Sequence, residues 1–319
     1  DTSVAMRDGR AVIPIASAHK RKLNGIVHDE SATGKTSYIE PAEVVEMNNQ
    51  IRELEYSEMR EIIRILTAFS NDIRPYLPDL MQSYTFLGKI DFIRAKAIYA
   101  IEIEAIKPYI DKECQLDWEG AVHPLLMMAL RRENRKVVPL NIRLTAQKHI
   151  LLISGPNAGG KSVCLKTVGL LQYMLQCGFL IPVKQNTVAG IFDRIFIDIG
   201  DEQSIENDLS TYSSHLMNMK FFLKNSTDKT LVMIDEFGTG TEPLLGGAIA
   251  ESILAQLNEM RVFGVITTHY TNLKHFASST EGIENAAMMY DSSKMEPLFQ
   301  LDIGKPGSSF AFEIARKIG

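Results

Sequence analysis

Eight consecutive residues constrain this chain more than any others: Gly155-Pro156-Asn157-Ala158-Gly159-Gly160-Lys161-Ser162, a G-x-x-x-x-G-K-[ST] pattern. An apolar run, residues 150–154, ends just before it, and a helical periodicity, residues 163–177, begins just after it. Strand, glycine-rich turn and helix in that order aim backbone N–H groups and the positive end of the helix dipole at one point. That arrangement suits a polyphosphate. Lys161 would neutralise charge on the β- and γ-phosphates, and the Ser162 hydroxyl would ligate Mg²⁺. All eight residues are therefore candidates for binding ATP.

The surrounding sequence fits this reading. Residues 195–198, 231–234 and 262–267 form further short apolar runs, and residues 215–224 and 244–258 carry helical spacing between them. Strands alternating with helices predict an α/β fold with a mostly parallel sheet. The run 231–234 ends in Asp235-Glu236, which the sheet would deliver to the edge bearing the phosphate loop. Asp235 would hold the metal, directly or through water, and Glu236 could polarise an attacking water. The run 262–267 leads into a third element, Thr267-Thr268-His269-Tyr270, where His269 could reach the γ-phosphate end of the nucleotide.

The first third of the chain reads differently. Residues 11–16 and 24–28 look like strands, with a basic cluster, His19-Lys20-Arg21-Lys22, between them that suits a solvated turn or a phosphate contact. From Pro41 the spacing becomes helical: Val44, Met47, Ile51 and Leu54, then Met59, Ile62, Leu66 and Phe69. Pro75 and Pro78 predict a turn, and a second helix over residues 80–107 is expected to fold back antiparallel to the first. The alternation of short apolar runs with helical stretches starts at about residue 116, which sets 1–115 apart from 116–319; the family resemblance given below implies a lever or connector for the first part and the ATPase domain for the second.

Composition narrows the partners. With 34 Lys+Arg against 39 Asp+Glu the net charge is −5, so a nucleic-acid contact would need a local patch. No apolar run approaches the roughly 18 residues of a membrane span. Three cysteines without a C-x-x-C pair are expected as free thiols in a reducing cytoplasm. A chain opening on Asp1-Thr2-Ser3, without Met, is expected to be a piece of a longer protein.

The motifs and the wording around them resemble the MutS family of ATPases, relatives of the ABC-type ATPases, and within it the type-two bacterial branch. The resemblance rests on Gly25-Ile26-Val27-His28-Asp29, Tyr38-Ile39-Glu40-Pro41, His123-Pro124-Leu125-Leu126 and residues 155–167. It continues through Asp198-Ile199-Gly200-Asp201-Glu202-Gln203-Ser204, Leu209-Ser210-Thr211-Tyr212-Ser213-Ser214-His215, residues 235–243 and residues 307–319. It implies a P-loop ABC-type ATPase domain behind a long-helix lever, with ATP and Mg²⁺ as ligands. It further implies a head-to-tail homodimer in which Ser210 contacts the γ-phosphate of the partner's ATP, and Gln203 as a sensor of metal or lytic water. The base-stacking position of the family falls near Val137 or Val138, neither of them aromatic. The implied working partner is DNA, with collided ribosomes a second, and no membrane; any nuclease activity would lie outside this chain. The nearest alternatives are a mismatch-sensing MutS ATPase and a nucleotide-gated clamp with negligible hydrolysis.

Overall fold

The computed structural model describes residues 3–156, 159–200, 211–291, 294 and 296–307. The chain divides into two compact units, Asp1–Ile90 and Asp91–Gly319.

The first unit begins with β1 (Ala5–Arg7), β2 (Arg10–Ala16), β3 (Gly25–Glu30) and β4 (Thr36–Pro41), an antiparallel sheet of order β1-β2-β4-β3. The basic cluster lies on a short 3-10 helix, Ser17–Lys22, with none of its residues buried. The helix α1 (Ala42–Ile73) leaves β4 directly. A buried acid ties the sheet to this helix. Glu40 accepts hydrogen bonds from Arg10 Nη1 at 2.8 Å and Asn48 Nδ2 at 2.6 Å, and its second oxygen lies 2.5 Å from His28 Nε2. Burial alone would raise the Glu40 pKa, but the hydrogen bonds from Asn48, His28 and Arg10 together hold the carboxyl below its ordinary value.

The next helix, α2 (Leu77–Glu102), corrects the expected hairpin. Within the first unit α1 and residues 77–90 do not pack side by side. Ile73, Arg74 and Leu77 all keep right-handed helical angles through a single 3-10 turn at Arg74–Tyr76. Pro75 and Pro78 fall in opening turns, where an N–H has no intrahelical partner to lose, so they start a helix and do not reverse the chain. The apolar residues that antiparallel pairing would bury are exposed, Leu54 at 70% and Tyr84 at 76%.

The second unit has two sheets. The smaller contains β5 (Tyr109–Ile110), β6 (Leu116–Ala121), β7 (Leu140–Leu144) and β9 (Val188–Ala189), in the order β5-β9-β6-β7, with α3 (Pro124–Arg132) between β6 and β7. The larger is built from β8 (Lys148–Ser154), β10 (Arg194–Asp198), β11 (Thr230–Ile234), β12 (Phe263–Thr267), β13 (Gly282–Asp291) and β14 (Glu296–Ile303). Its order is β10-β11-β12-β8-β13-β14; the first five strands run parallel and β14 closes the edge antiparallel to β13. The helices α4 (Lys161–Gln176), α5 (Thr211–Asn225), α6 (Pro243–Glu259) and α7 (Thr271–Ser279) connect the strands. This is the α/β architecture with a mostly parallel sheet that the alternation predicts.

Side chains of β8 alternate between two cores. Leu151 and Ile153 join Leu165, Val168 and Leu171 of α4, whereas Ile150 and Leu152 join Leu254 and Leu257 of α6 and Leu273 of α7. A strand covered on both faces reads as a continuous apolar run. Each such side chain contributes roughly 1.5–3 kcal/mol by leaving water, which fixes the strand ends that carry the site.

Candidate functional site

In parallel sheets the loops at the carboxyl ends of the strands gather on one edge, and ligands bind there. Here β11, β12 and β8 are neighbours, so the loops after them meet. Beyond Ser154 the backbone enters the left-handed region at Gly155 (φ 133°) and again at Gly160 (φ 93°), where a side chain would strain it. Gly160 precedes α4 in the left-handed conformation and supplies no side-chain cap to its first turn. Lys161 is only 3% exposed, and its Nζ donates to the loop's own carbonyls, Gly155 O at 2.9 Å and Pro156 O at 3.1 Å. Burial lowers its pKa, while Glu236 and Asp235 oppose that shift. Ser162 follows, half-buried, on the first turn of α4. Asn157 and Ala158 lie outside the described residues.

Asp235 and Glu236 leave the end of β11, and a residue of the next strand orients both. Thr267 Oγ1 donates to Asp235 Oδ1 at 2.5 Å and accepts the Glu236 N–H at 2.8 Å. Asp235 is buried, whereas Glu236 is exposed and holds φ at 49°, an uncommon value for a non-glycine residue. Thr267 O also receives the Phe237 N–H at 2.8 Å, and Tyr270 donates its hydroxyl to Gly238 O at 2.9 Å, so the turn is pinned on both sides. Backbone strain held in this way is typical of functional turns. His269 stands beside it, with Nε2 buried and lacking a hydrogen-bond partner among the described residues. Burial, reinforced by Lys161 and Lys274, lowers its pKa against the pull of Glu236 and Asp235, which favours a neutral ring.

Two cavities adjoin the loop. One of about 530 Å³ is lined by Ser162, Lys166, Gly200, His215, Asp235 and Glu236, among others. The second, about 250 Å³ and mostly apolar, is lined by Gly160 together with His123, Val137, Val138, Met288 and Phe299, among others. Val137 and Val138 thus do border a pocket next to the phosphate loop, but its aromatic surface is Phe299. A Cβ on Gly160 would sit 3.1 Å from the Phe299 ring. Sequence reasoning missed Phe299 because it arrives on the antiparallel strand β14, distant from every motif. Thr267 opens the Thr267-Thr268-His269-Tyr270 element that the sequence singles out, but its contact with Asp235 comes from the pairing of β11 with β12. Ser210 and Gln203 lie outside the described residues.

The donors suit a hard cation brought in with a polyphosphate. Thr267 engages one oxygen of Asp235, and the hydroxyl of Ser162 borders the same cavity. Among the described residues no group of three or more His, Cys, Asp or Glu side chains could hold a metal by itself. Mg²⁺ is usually held by one or two carboxylates together with substrate phosphates, so such a sparse set fits it.

A glycine loop between a buried parallel strand and a helix, faced by an acidic pair on a neighbouring strand, defines a P-loop nucleotide-binding domain. The MutS domain V family matches residues 151–319. Over 316 residues, 99% of the chain, it is 46% identical to the Endonuclease MutS2 of Finegoldia magna and covers 40% of that protein. It is 43% identical over its full 319 residues to the Endonuclease MutS2 of Alkaliphilus oremlandii, again covering 40%. The Endonuclease MutS2 of Pelotomaculum thermopropionicum is 45% identical over 316 residues, 99% of the chain and 39% of that relative. The chain therefore spans about 40% of the length of these relatives. It belongs to the MutS family, in the type-two branch, and carries that family's ATPase domain. No helix among the described residues is long and apolar enough to cross a membrane.

Proposed function

We propose that this chain is the ATP-binding, Mg²⁺-dependent ATP-hydrolysing core of a type-two MutS protein, a dimeric nucleotide-gated clamp that acts on DNA. The observation that carries the reading is the convergence of Lys161, Ser162, Asp235, Glu236 and His269 at the carboxyl edge of β8, β11 and β12. In this reading Lys161 exchanges the loop carbonyls for the β/γ-phosphate oxygens, and the N–H groups of the loop and of α4 complete the cradle. Ser162 and Asp235 hold Mg²⁺, which neutralises charge on the phosphates. Glu236, exposed on its strained turn, polarises the attacking water, and neutral His269 offers Nε2–H to the γ-phosphate. Phe299 and His123 border the pocket for the base. Residues 1–115 act as the lever and residues 116–319 as the ATPase domain. Ser210 reaches the partner's γ-phosphate and Gln203 senses metal or water.

Such a dimer couples nucleotide state to lever position, because only ATP supplies a γ-phosphate for both subunits to grip. DNA is the proposed object of the clamp, and the name Endonuclease MutS2 borne by the relatives supports an action on nucleic acid. The test is multiple-turnover phosphate release by the purified chain with ATP and Mg²⁺. Glu236→Gln is expected to keep ATP binding and to lose turnover by about 10²–10⁴-fold, since an amide accepts a water proton poorly. Near-normal turnover in that variant would remove Glu236 from its role.

A further inference from the structure

One lysine beside the phosphate loop has no part in the roles above, and stability does not explain its position. Lys274 is the fourth residue of α7, at the positive end of that helix's dipole, where a cation is disfavoured. It is half-buried, and burial lowers its pKa with no acid opposing the shift. Its Nζ donates to Gly307 O at 2.9 Å, and the Gly307 N–H donates to Ser154 Oγ at 2.7 Å. Ser154 is the last residue of β8, directly before Gly155. Gly307 comes this close because it lacks a side chain: a Cβ there would lie 3.0 Å from Ser154 O and 3.1 Å from the Ala287 Cβ. On the other side, Asn285 Nδ2 of β13 donates to Lys274 O at 2.9 Å and fixes this turn of α7.

Two ammonium groups are thus anchored at adjoining points. Lys161 Nζ is bound to Gly155 O, and Lys274 Nζ to the residue seated on Ser154. The field of Lys274 reaches the site, where it works to lower the pKa of both Lys161 and His269. Like charges placed this near raise the local potential, and an anion that enters relieves their repulsion.

We propose that Lys274, held in place by Gly307, is a specificity-determining cation of the phosphate site that favours ATP over ADP. It acts through its field and does not replace Lys161 as the contact to the phosphates. ATP carries an additional negative charge on its γ-phosphate, so a fixed positive charge at the loop's root stabilises bound ATP more than bound ADP. The inference rests on the ATP-binding reading above.

The test is calorimetric titration of the purified chain with Mg²⁺ and either ADP or the β,γ-imido analogue of ATP, which keeps the γ-phosphate and resists hydrolysis. Lys274→Met removes the charge and the bond to Gly307 while keeping a long apolar stem; Lys274→Arg keeps a charge and a donor. Fluorescence of Trp118 on heating checks that both variants fold. Lys274→Met is expected to weaken the triphosphate analogue about 3–30-fold and ADP less than about threefold, so the ratio of the two affinities falls. Lys274→Arg should hold that ratio near the wild-type value. A lysine that only ties Gly307 to α7 would affect both nucleotides alike. Equal losses for the two nucleotides, an unchanged ratio, or a ratio that falls as far in Lys274→Arg as in Lys274→Met would therefore overturn the proposal. If the wild-type chain binds both nucleotides and the ratio is the same in Lys274→Met, only this inference fails. If the wild-type chain binds neither, the ATP-binding reading fails and takes this one with it.

Discussion

The long helices and the six-stranded sheet use similar apolar residues to opposite ends. Leu54, Leu66, Phe69 and Tyr84 all lie exposed on the helices, whereas Leu151, Leu152, Ile153 and Val232 in the sheet are sealed from water. The difference lies in what each element can cover by itself. A parallel strand between two helical layers has both faces buried; a helix that continues through Arg74–Tyr76 without folding back has no second surface to bury against. The candidate site residues follow the carboxyl ends of the sealed strands β8, β11 and β12. A phosphate loop must hold several N–H groups within tenths of an ångström, and only a strand fixed on both faces provides such a base.

Substitutions can break this contrast. Leu152→Ala should cost about 2–5 kcal/mol, since the tightly packed core cannot close the cavity. The only tryptophan, Trp118, is buried in the second unit and reports on it. Its unfolding transition should therefore move to markedly lower urea, and an unmoved midpoint would mean that the sheet is not the stabilising core. Glu40→Gln tests the first unit and should cost about 1–3 kcal/mol, because the amide replaces a charged acceptor of Arg10. Far-UV circular dichroism should register that loss while the Trp118 transition stays put. The sign of the pH effect follows from the lowered Glu40 pKa. The unfolded acid takes up a proton first, so the contribution of Glu40 is complete above an ordinary carboxylate value of roughly 4.3 and is lost as pH falls below it. In Glu40→Gln the acid sensitivity of the first unit should shrink. Leu66→Ala should be the mildest, within about 0.5 kcal/mol, as for other exposed positions. A loss there comparable to Leu152→Ala would erase the distinction.

The same contrast decides what the sequence reveals. The strands β8, β11 and β12 are legible because both faces are covered, which leaves uninterrupted apolar runs, and the phosphate loop is legible because its turn demands glycine. The partner strand β13 is not: it carries Glu284 and Asn285, and Asn285 is buried through hydrogen bonds from its Nδ2 to Lys274 O and Ser278 Oγ, which no local pattern announces. Its neighbour β14, with Phe299, has no buried residue and mixes polar with apolar positions, so the apolar pocket could be expected near Val137 and Val138 but not its aromatic wall. The apolar spacing of α1 and α2 was readable as helix, yet spacing says only that a stripe exists, not what lies against it. Asp198 and His215 stand 17 residues apart and meet only because β10 and α5 pack together.

The central claim is that the sheet edge binds ATP through the phosphate loop, with Lys161 as its fixed counter-charge. Calorimetric titration of the purified chain with ATP and Mg²⁺ tests it most directly, in the wild-type form and as Lys161→Ala. The account predicts one ATP per chain and an affinity at least about 10²-fold weaker in the variant, the scale of losing charge-assisted hydrogen bonds to two phosphates. Equal affinity in the two forms would contradict it, and would leave the loop as a glycine-rich connection with no nucleotide to hold.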